Sequence, residues 1–249
     1  MNALQFIPIS LFALFWVLRW RKYSIFEIAA NGSAFGLKIR LRTTPDINIA
    51  DGNGMTPLMY AARRNGNPEI ITTLLNAGAK IDDKDSNGIA PLWHATHNRN
   101  PEIITTLIDA GAKADDETKN GFTLLMYAAA EGNPKGIAKA IDLVGRVDDN
   151  DDYGRTALMI AAGFNRDPDV VTTLIIAGNK IDHKSVDGQT PLMYAAAYNR
   201  NPDTVMRLIE AGADCRIRSN EGKTALDHIE TNKALRNSKV YPELKKRCE

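Results

Sequence analysis

A seven-residue motif returns along most of this chain at a nearly constant interval. It reads Thr-Pro-Leu-Met-Tyr-Ala-Ala at 56–62 and at 190–196. Related copies begin at residues 90, 123 and 156, and a partial copy begins at 224, so successive starts are 33 or 34 residues apart. A period of this length is typical of solenoids, in which each repeat packs only on its neighbours. We therefore expect a stack of short repeats rather than one large core.

Each repeat carries the signals of two helices. The opening Thr is a preferred N-cap, and a following proline such as Pro57 fits the first helical position. A second pair such as Asn67-Pro68 begins another helix, which has apolar residues at i, i+1, i+4 and i+5. A glycine such as Gly78 ends that helix, and a polar stretch with a second glycine forms a turn. These signals predict an all-α chain of helix-turn-helix units with hairpin-like loops.

The phase of the motif also predicts the boundaries of the repeats. They are 1–22 for an N-terminal hydrophobic segment, 24–55 for a capping repeat, 56–89, 90–122, 123–155, 156–189 and 190–223 for five full repeats, and 224–249 for a C-terminal capping repeat. The 123–155 repeat has Gly136 and Ala140 where the 56–89 repeat has Ile70 and Leu74, and its closing glycine comes one residue late, at Gly145. Since glycine in a helix and lost apolar burial both cost stability, we expect this repeat to be the softest.

These features resemble the ankyrin-repeat family over about residues 24–249. The resemblance rests on the Thr-Pro-Leu opening, the Ala-Gly-Ala at 77–79, 110–112 and 211–213, and the Asp-x-x-Gly or Asn-Gly turns. It implies a solenoid that binds partner proteins without catalysis. The family usually has a histidine at the fourth place of the motif, where it ties loops together. Because that place holds Met59, Trp93, Met126, Met159 and Met193 here, we expect an apolar ladder instead, with loops ordered mainly by packing.

The N-terminal segment leaves three interpretations open. Residues 1–18 carry no charged side chain and precede Arg19-Trp20-Arg21-Lys22. As a helix they would span about 27 Å at 1.5 Å per residue, close to the roughly 30 Å of a bilayer core. Our prediction is a membrane anchor whose basic flank leaves the repeats in the cytoplasm. The alternatives are a hydrophobic helix packed on the end of the stack in a soluble cytoplasmic protein, and a cleaved signal peptide, which would make the repeats secreted or periplasmic.

Composition and motifs argue against several other classes. A net charge of +1 gives no electrostatic case for nucleic-acid binding. The only two cysteines, Cys215 and Cys248, are far apart and lack histidines at metal spacing, so we expect no disulfide and no zinc site. His94 and His97 form an H-x-x-H pair, but no further ligand is evident. With no nucleophile or phosphate-loop motif either, we expect no cofactor and no enzyme.

The resemblance implies that partners bind on the concave face, formed by loop tips and first helices. The predicted partner-binding residues are Arg63, Arg64, Asn87, Ile89, His97, Phe122, Glu131, Tyr153, Arg155, Phe164, Gln189, Tyr198 and Lys223. Phe122, Tyr153, Phe164 and Tyr198 stand out, since exposed aromatic side chains are the usual anchors of interfaces. Alternatively, Phe164 and Tyr198 only fill the gap made by an extra turn residue.

The function that we expect is therefore a non-catalytic scaffold for a protein partner of unknown identity. One alternative is a regulatory or inhibitory subunit of an enzyme. Another is a secreted or periplasmic interaction protein, should residues 1–22 be cleaved.

Overall fold

A computed structural model describes residues 24–44, 46–114 and 121–248, and within them the chain forms fifteen α-helices. The helices are α1 (Ile25–Asn31), α2 (Ala34–Leu41), α3 (Pro57–Arg64), α4 (Pro68–Asn76), α5 (Pro91–Ala95), α6 (Glu102–Asp109), α7 (Leu124–Glu131), α8 (Pro134–Val144), α9 (Ala157–Phe164), α10 (Pro168–Ile176), α11 (Pro191–Tyr198), α12 (Pro202–Glu210), α13 (Ala225–Thr231), α14 (Lys233–Arg236) and α15 (Val240–Cys248). Extended pairing in these ranges is limited to an isolated bridge between Asn150 and Thr156. The predicted all-α fold of helix-turn-helix units is confirmed.

The chain divides into two compact units, Met1–Lys113 and Ala114–Glu249. In unit 1 the first helices α1, α3 and α5 pack in sequence, and the second helices α2, α4 and α6 form a parallel layer. In unit 2 the first helices are α7, α9, α11 and α13, and the second layer consists of α8, α10, α12 and α15. Each unit is thus two layers of helices with the apolar core between them.

Most helices begin where the caps predict, although α6 begins at Glu102, one residue after the predicted Pro101. The hydroxyl of Thr190, for example, accepts the amide N–H of Met193, and Pro191 is the first residue of α11. The motif alanines are fully buried: Ala195 and Ala196 are both 0% exposed. Because alanine has so small a side chain, the first helices of neighbouring repeats can approach closely.

An asparagine in the turn between the two helices of a repeat binds the preceding repeat. The Nδ2 group of Asn199 donates to the carbonyl oxygens of Ala162 at 2.8 Å and Asn165 at 3.0 Å. Its Oδ1 atom accepts the amide of Asn201 at 2.9 Å. The residues that form equivalent bonds are Asn65, Asn98, Asn165 and Asn232. These bonds satisfy carbonyls at the ends of first helices, which have no partner inside the helix.

The first described repeat of each unit has glycine at this position instead. These residues are Gly32 in unit 1 and Gly132 in unit 2, and a Cβ atom on either would clash with the carbonyl oxygen of Ile28 or Ala128. The backbone there excludes a larger residue, and glycine has no side chain with which to bind a neighbour. Within each unit, the asparagine bonds therefore start at the second repeat.

The second helix of the 123–155 repeat differs from the others. Helix α8 has 11 residues and ends at Gly145, which has a φ of 63°, whereas α4, α10 and α12 have nine residues each. Gly136 and Ala140 occupy buried positions, as the sequence pattern indicates. That this repeat is the softest stays a prediction.

The residues of the expected apolar ladder are all buried, but at two turns a polar side chain also binds the turn. The carboxylate of Asp51 accepts the amides of Asn53 and Met55 at 2.9 Å each, and the hydroxyl of Tyr60 donates to it at 2.7 Å. Met59, at the fourth place of the motif, is fully buried. The expectation that packing alone orders the loops was wrong for this turn, because Tyr60 at the fifth place reaches Asp51.

The next repeat makes the same tie with a histidine. The carboxylate of Asp85 accepts the amides of Asn87 and Ile89, and the Nε2 atom of His94 lies 3.0 Å from it. His94 is 2% exposed. Burial lowers the pKa of His94 to about 4, although the Asp85 carboxylate opposes this effect. His94 is therefore neutral near pH 7, and it stabilises the turn through its contact with the Asp85 carboxylate.

Cys215 and Cys248 form a disulfide, so the expectation of no disulfide was wrong. The two residues are 33 apart in sequence, about one repeat. Helix α15 packs against α12 and α13 in the place of a second helix, which brings the two Cα atoms to 5.7 Å. In the chain-entropy model, closing a loop of this length stabilises the fold by about 4 kcal/mol. The bond fastens the C-terminal end of unit 2.

No helix in the described ranges is both long enough and apolar enough to cross a membrane. The predicted hydrophobic segment, 1–22, lies outside those ranges. The membrane anchor is therefore untested by the structure.

We predict that Asn199→Ala lowers the free energy of unfolding by about 2–4 kcal/mol, because two buried carbonyls lose their donor. Urea denaturation followed by circular dichroism measures the change. Asn220→Ala is the matched control: Asn220 also donates to a neighbouring repeat, to the carbonyl of Val186 at 2.9 Å, but it is exposed. It should cost less than about 1 kcal/mol. Equal losses in the two variants would contradict a special role for the buried bonds.

We also predict a pH-dependent loss of stability that depends on His94. The unfolded chain protonates this histidine near pH 6.5, whereas burial depresses its pKa in the folded state to about 4. The unfolded state thus binds more protons between these values, and stability falls as the pH is lowered, by about 2–3 kcal/mol at pH 4.5 from this residue. The test is urea denaturation at pH 7.5 and 4.5 for the wild type and His94→Tyr, since tyrosine makes this tie in the preceding repeat. The same loss in both proteins would disprove the assignment to His94.

Candidate protein-binding surface

In unit 1 the predicted contact residues are only partly available. Arg64 and Asn87 are exposed, and Arg63 and His97 are half-buried. Ile89 is 7% exposed, and its amide binds Asp85. Its side chain belongs to the core, so we remove it from the candidate surface.

In unit 2, four of the predicted contact residues form two contacting pairs, and the other four lie apart from them. Phe122 packs partly buried against the core, and Gln189 is also half-buried. Glu131 is exposed, and exposed Lys223 pairs with Glu221 at 2.7 Å. The residues that the fold brings together are Tyr153 with Arg155, and Phe164 with Tyr198.

The first group lies in the turn before α9. Asp151 is 4% exposed, and its carboxylate accepts the amides of Tyr153 and Arg155 at 3.0 and 2.9 Å. It also binds the guanidinium of Arg155, with Nε at 2.8 Å. The guanidinium carbon lies 4.9 Å from the centre of the Tyr153 ring, which is 57% exposed. The turn therefore presents an aromatic ring and a planar cation in fixed positions.

The second group lies at the ends of α9 and α11. The rings of Phe164 and Tyr198 stack with centres 5.6 Å apart and an angle of 18° between their planes. Phe164 is 51% exposed and Tyr198 is 53% exposed. Side chains that only filled a gap would be buried, whereas half of each ring faces solvent here. The pair thus provides apolar surface for contact.

Tyr194, which the sequence analysis overlooked, is a buried residue that packs against the second group. Its ring is tilted by 58° against that of Tyr198, with centres 5.7 Å apart. Burial raises the pKa of Tyr194, and Arg155 is near enough for its charge to oppose that rise. We call Tyr153, Arg155, Phe164 and Tyr198 the aromatic strip of unit 2, and Tyr194, 8% exposed, supports Tyr198 from the core side. Tyrosine at the fifth place of the motif was a signal, but the residue looked like scaffold because it recurs.

A groove beside the strip contains two arginines that the sequence analysis also overlooked. It has a volume of about 790 Å³, and its lining residues are Gly163, Phe164, Arg166, Tyr198, Asn199, Arg200, Asn201 and Pro202. We call it the turn groove, because half of these residues lie in turns between first and second helices and the others flank those turns. A signal was present: a basic residue follows the turn asparagine in several repeats, as Arg99, Arg166, Arg200 and Lys233.

No group of three or more metal-ligating side chains occurs among residues 24–44, 46–114 and 121–248. In the H-x-x-H pair, His94 directs its Nε2 atom at Asp85. The candidate surface therefore offers aromatic rings and guanidinium groups for non-covalent contacts.

Known proteins support this description of the fold. The family model for ankyrin repeats (3 copies) matches residues 25–118, 65–142, 100–184 and 158–235. The human ASB11 ankyrin repeat domain is 26% identical with a TM-score of 0.71, and the match covers 90% of this chain and 97% of that one. A chain in the complex of the predatory endopeptidase Bd0816 from Bdellovibrio bacteriovorus with the immunity protein Bd3460 is 30% identical. Its TM-score is 0.57, and the match covers 75% of this chain and 96% of that chain.

A search of curated protein sequences found no match. The family matches nevertheless run from residue 25 to residue 235, most of the chain. Ankyrin repeats generally mediate protein–protein interaction and are typically non-catalytic. From these matches and the paired helices of each repeat, we conclude that the chain belongs to the ankyrin-repeat family.

Proposed function

We propose that this protein is a non-catalytic scaffold that binds a partner protein through the aromatic strip of unit 2. The observation that carries the proposal is the half-exposed stack of Phe164 and Tyr198 in the same unit as the Tyr153–Arg155 pair. Tyrosine and arginine are among the residues most enriched at the energetic centres of interfaces. Tyr153, Phe164 and Tyr198 each expose more than half of their surface.

The strip is also held in place before any partner arrives. Asp151 fixes the Tyr153–Arg155 turn with two amide bonds and an ion pair, and Asn199 anchors the end of α11. A surface that is already ordered loses little conformational entropy on binding. This favours recognition of a protein surface by the strip.

We predict that a photo-crosslinking amino acid at Tyr198 or Tyr153 captures a specific partner in cells that make the protein. The control position is Glu210, which is exposed at the end of α12 in the outer layer of the same unit. Mass spectrometry identifies the products. In a second step, Tyr153→Ala with Phe164→Ala should reduce capture of that partner at least tenfold without changing the melting temperature. Equal cross-linking from all three positions, or unchanged capture by the double variant, would refute the proposal.

An alternative is that the partner is an enzyme that this protein inhibits. It is favoured by the similarity to a chain of the endopeptidase–immunity protein complex. The cross-linking experiment separates the two, because it identifies the partner. If the partner is an enzyme, its activity with one equivalent of this protein decides between inhibition and scaffolding.

The disulfide supports a proposal about location. Disulfides persist in oxidising compartments and are rare in the cytosol. We therefore favour placement of the repeats in an oxidising compartment over the cytoplasmic placement that the basic flank of residues 1–18 indicates. Attachment to a membrane through residues 1–18 is a separate proposal, which membrane fractionation tests.

We predict that Cys215 and Cys248 resist alkylation in intact cells and react only after reduction. Cells are treated with a permeable maleimide before lysis, and mass spectrometry measures the modified fraction of each cysteine. A cytosolic protein with a surface thiol, labelled in the same sample, confirms that the reagent entered. Extensive labelling of both cysteines without a reductant would exclude the oxidising compartment.

A further inference from the structure

We propose that the turn groove of unit 2 binds an acidic, extended segment of the partner protein that also carries an aromatic or aliphatic side chain. This inference rests on the proposed function, since it specifies what part of a partner the surface recognises. It adds a second region to the aromatic strip, with Phe164 and Tyr198 shared by both.

The groove has the size and rigidity of a binding site. It is an open groove with a volume of about 790 Å³, which leaves room for an extended segment lying along the surface. The two turns that line it are tied together by two bonds between repeats. The Nδ2 group of Asn199 donates to the carbonyl of Asn165 at 3.0 Å, and that of Asn201 donates to the carbonyl of Arg166 at 3.3 Å. The spacing of the two arginines along the groove is thereby set by the backbone.

The charge of the groove is positive and not neutralised. Arg166 and Arg200 are exposed, and neither side chain forms an ion pair within the described part of the chain. No acidic residue lines the groove. Lys233 occupies the corresponding turn position in the next repeat and is also exposed.

Acidic residues also occur next to the groove. Asp167 caps α10 by accepting the amide of Asp169 at 3.0 Å, and the carboxylate of Asp169 pairs with Arg207 at 3.4 Å. Asp203 is exposed on the first turn of α12. All three follow the turns into the second helices, and none lines the groove.

This combination selects an acidic peptide among anionic ligands. Guanidinium groups bind carboxylates through paired hydrogen bonds, and the stacked rings provide an apolar surface for a side chain. Nucleic acid would require a broader basic excess than a chain with a net charge of +1 provides. A short segment with carboxylates on either side of an apolar residue satisfies both features of the groove.

The test uses the full chain and a fluorescein-labelled peptide of sequence Gly-Glu-Glu-Phe-Glu-Glu-Leu-Gly. Fluorescence anisotropy measures its dissociation constant, and circular dichroism checks that each variant is folded. Binding should be saturable, and Arg166→Glu with Arg200→Glu should weaken it at least about tenfold. The matched control, Lys184→Glu with Arg216→Glu, changes the net charge equally at exposed residues of unit 2 outside the groove. It should alter the dissociation constant less than about twofold.

Three results would overturn the inference. They are the absence of saturable binding, equal weakening in both double variants, and equal affinity for a peptide with glutamine in place of every glutamate. Failure of the proposed function looks different. If cross-linking at Tyr153 persists in the Arg166→Glu, Arg200→Glu variant, the scaffold function stands and only the groove proposal is rejected. If no position of the strip gives a specific cross-link, the scaffold function itself is rejected.

Discussion

The buried hydrogen bonds of the turn asparagines hold neighbouring repeats in register, and most of the surface geometry depends on them. A repeat protein lacks a single long-range core, so its stability depends on the interfaces between adjacent repeats. Apolar faces such as Ala195 and Ala196 stabilise these interfaces without fixing their alignment, because hydrophobic contact is non-directional. The bonds from Asn199 to Ala162 and Asn165 are directional and withdrawn from water. Misalignment would leave buried carbonyls unpaired, which is costly.

The candidate binding residues are placed by this framework at both ends of the first helices. Asn199 lies between Tyr198 and Arg200, so the residue that aligns the repeats also positions one ring of the strip and one guanidinium of the groove. At the other end, Asp151 orders the turn that carries Tyr153 and Arg155. The surface would therefore lose little conformational entropy when a partner binds.

Sequence reasoning succeeded where the signal is local, and it failed where a side chain must find a partner one repeat away. The caps, the prolines and the glycine at Gly145 act within a few residues, so they predicted the helices and even the delayed end of α8. Counting from the motif also singled out Phe164 and Tyr198 as exposed. It misplaced Ile89, whose side chain is buried, and it overlooked Arg166 and Arg200 because a basic residue in a turn is ordinarily just solvated.

The sequence by itself determined the repeat length, the two helices of each repeat and the family, since these follow from periodic short-range preferences that six successive copies reinforce. Only the tertiary structure decided which side chains meet. It placed Tyr60 and His94 on the turn aspartates, joined Cys215 to Cys248, and formed the turn groove from two adjacent turns. The physical reason is that the cysteine pairing and the groove depend on the offset between one repeat and the next, and the turn ties depend on how each turn folds back on its helix. The local pattern contains these residues, but it does not state which of them meet.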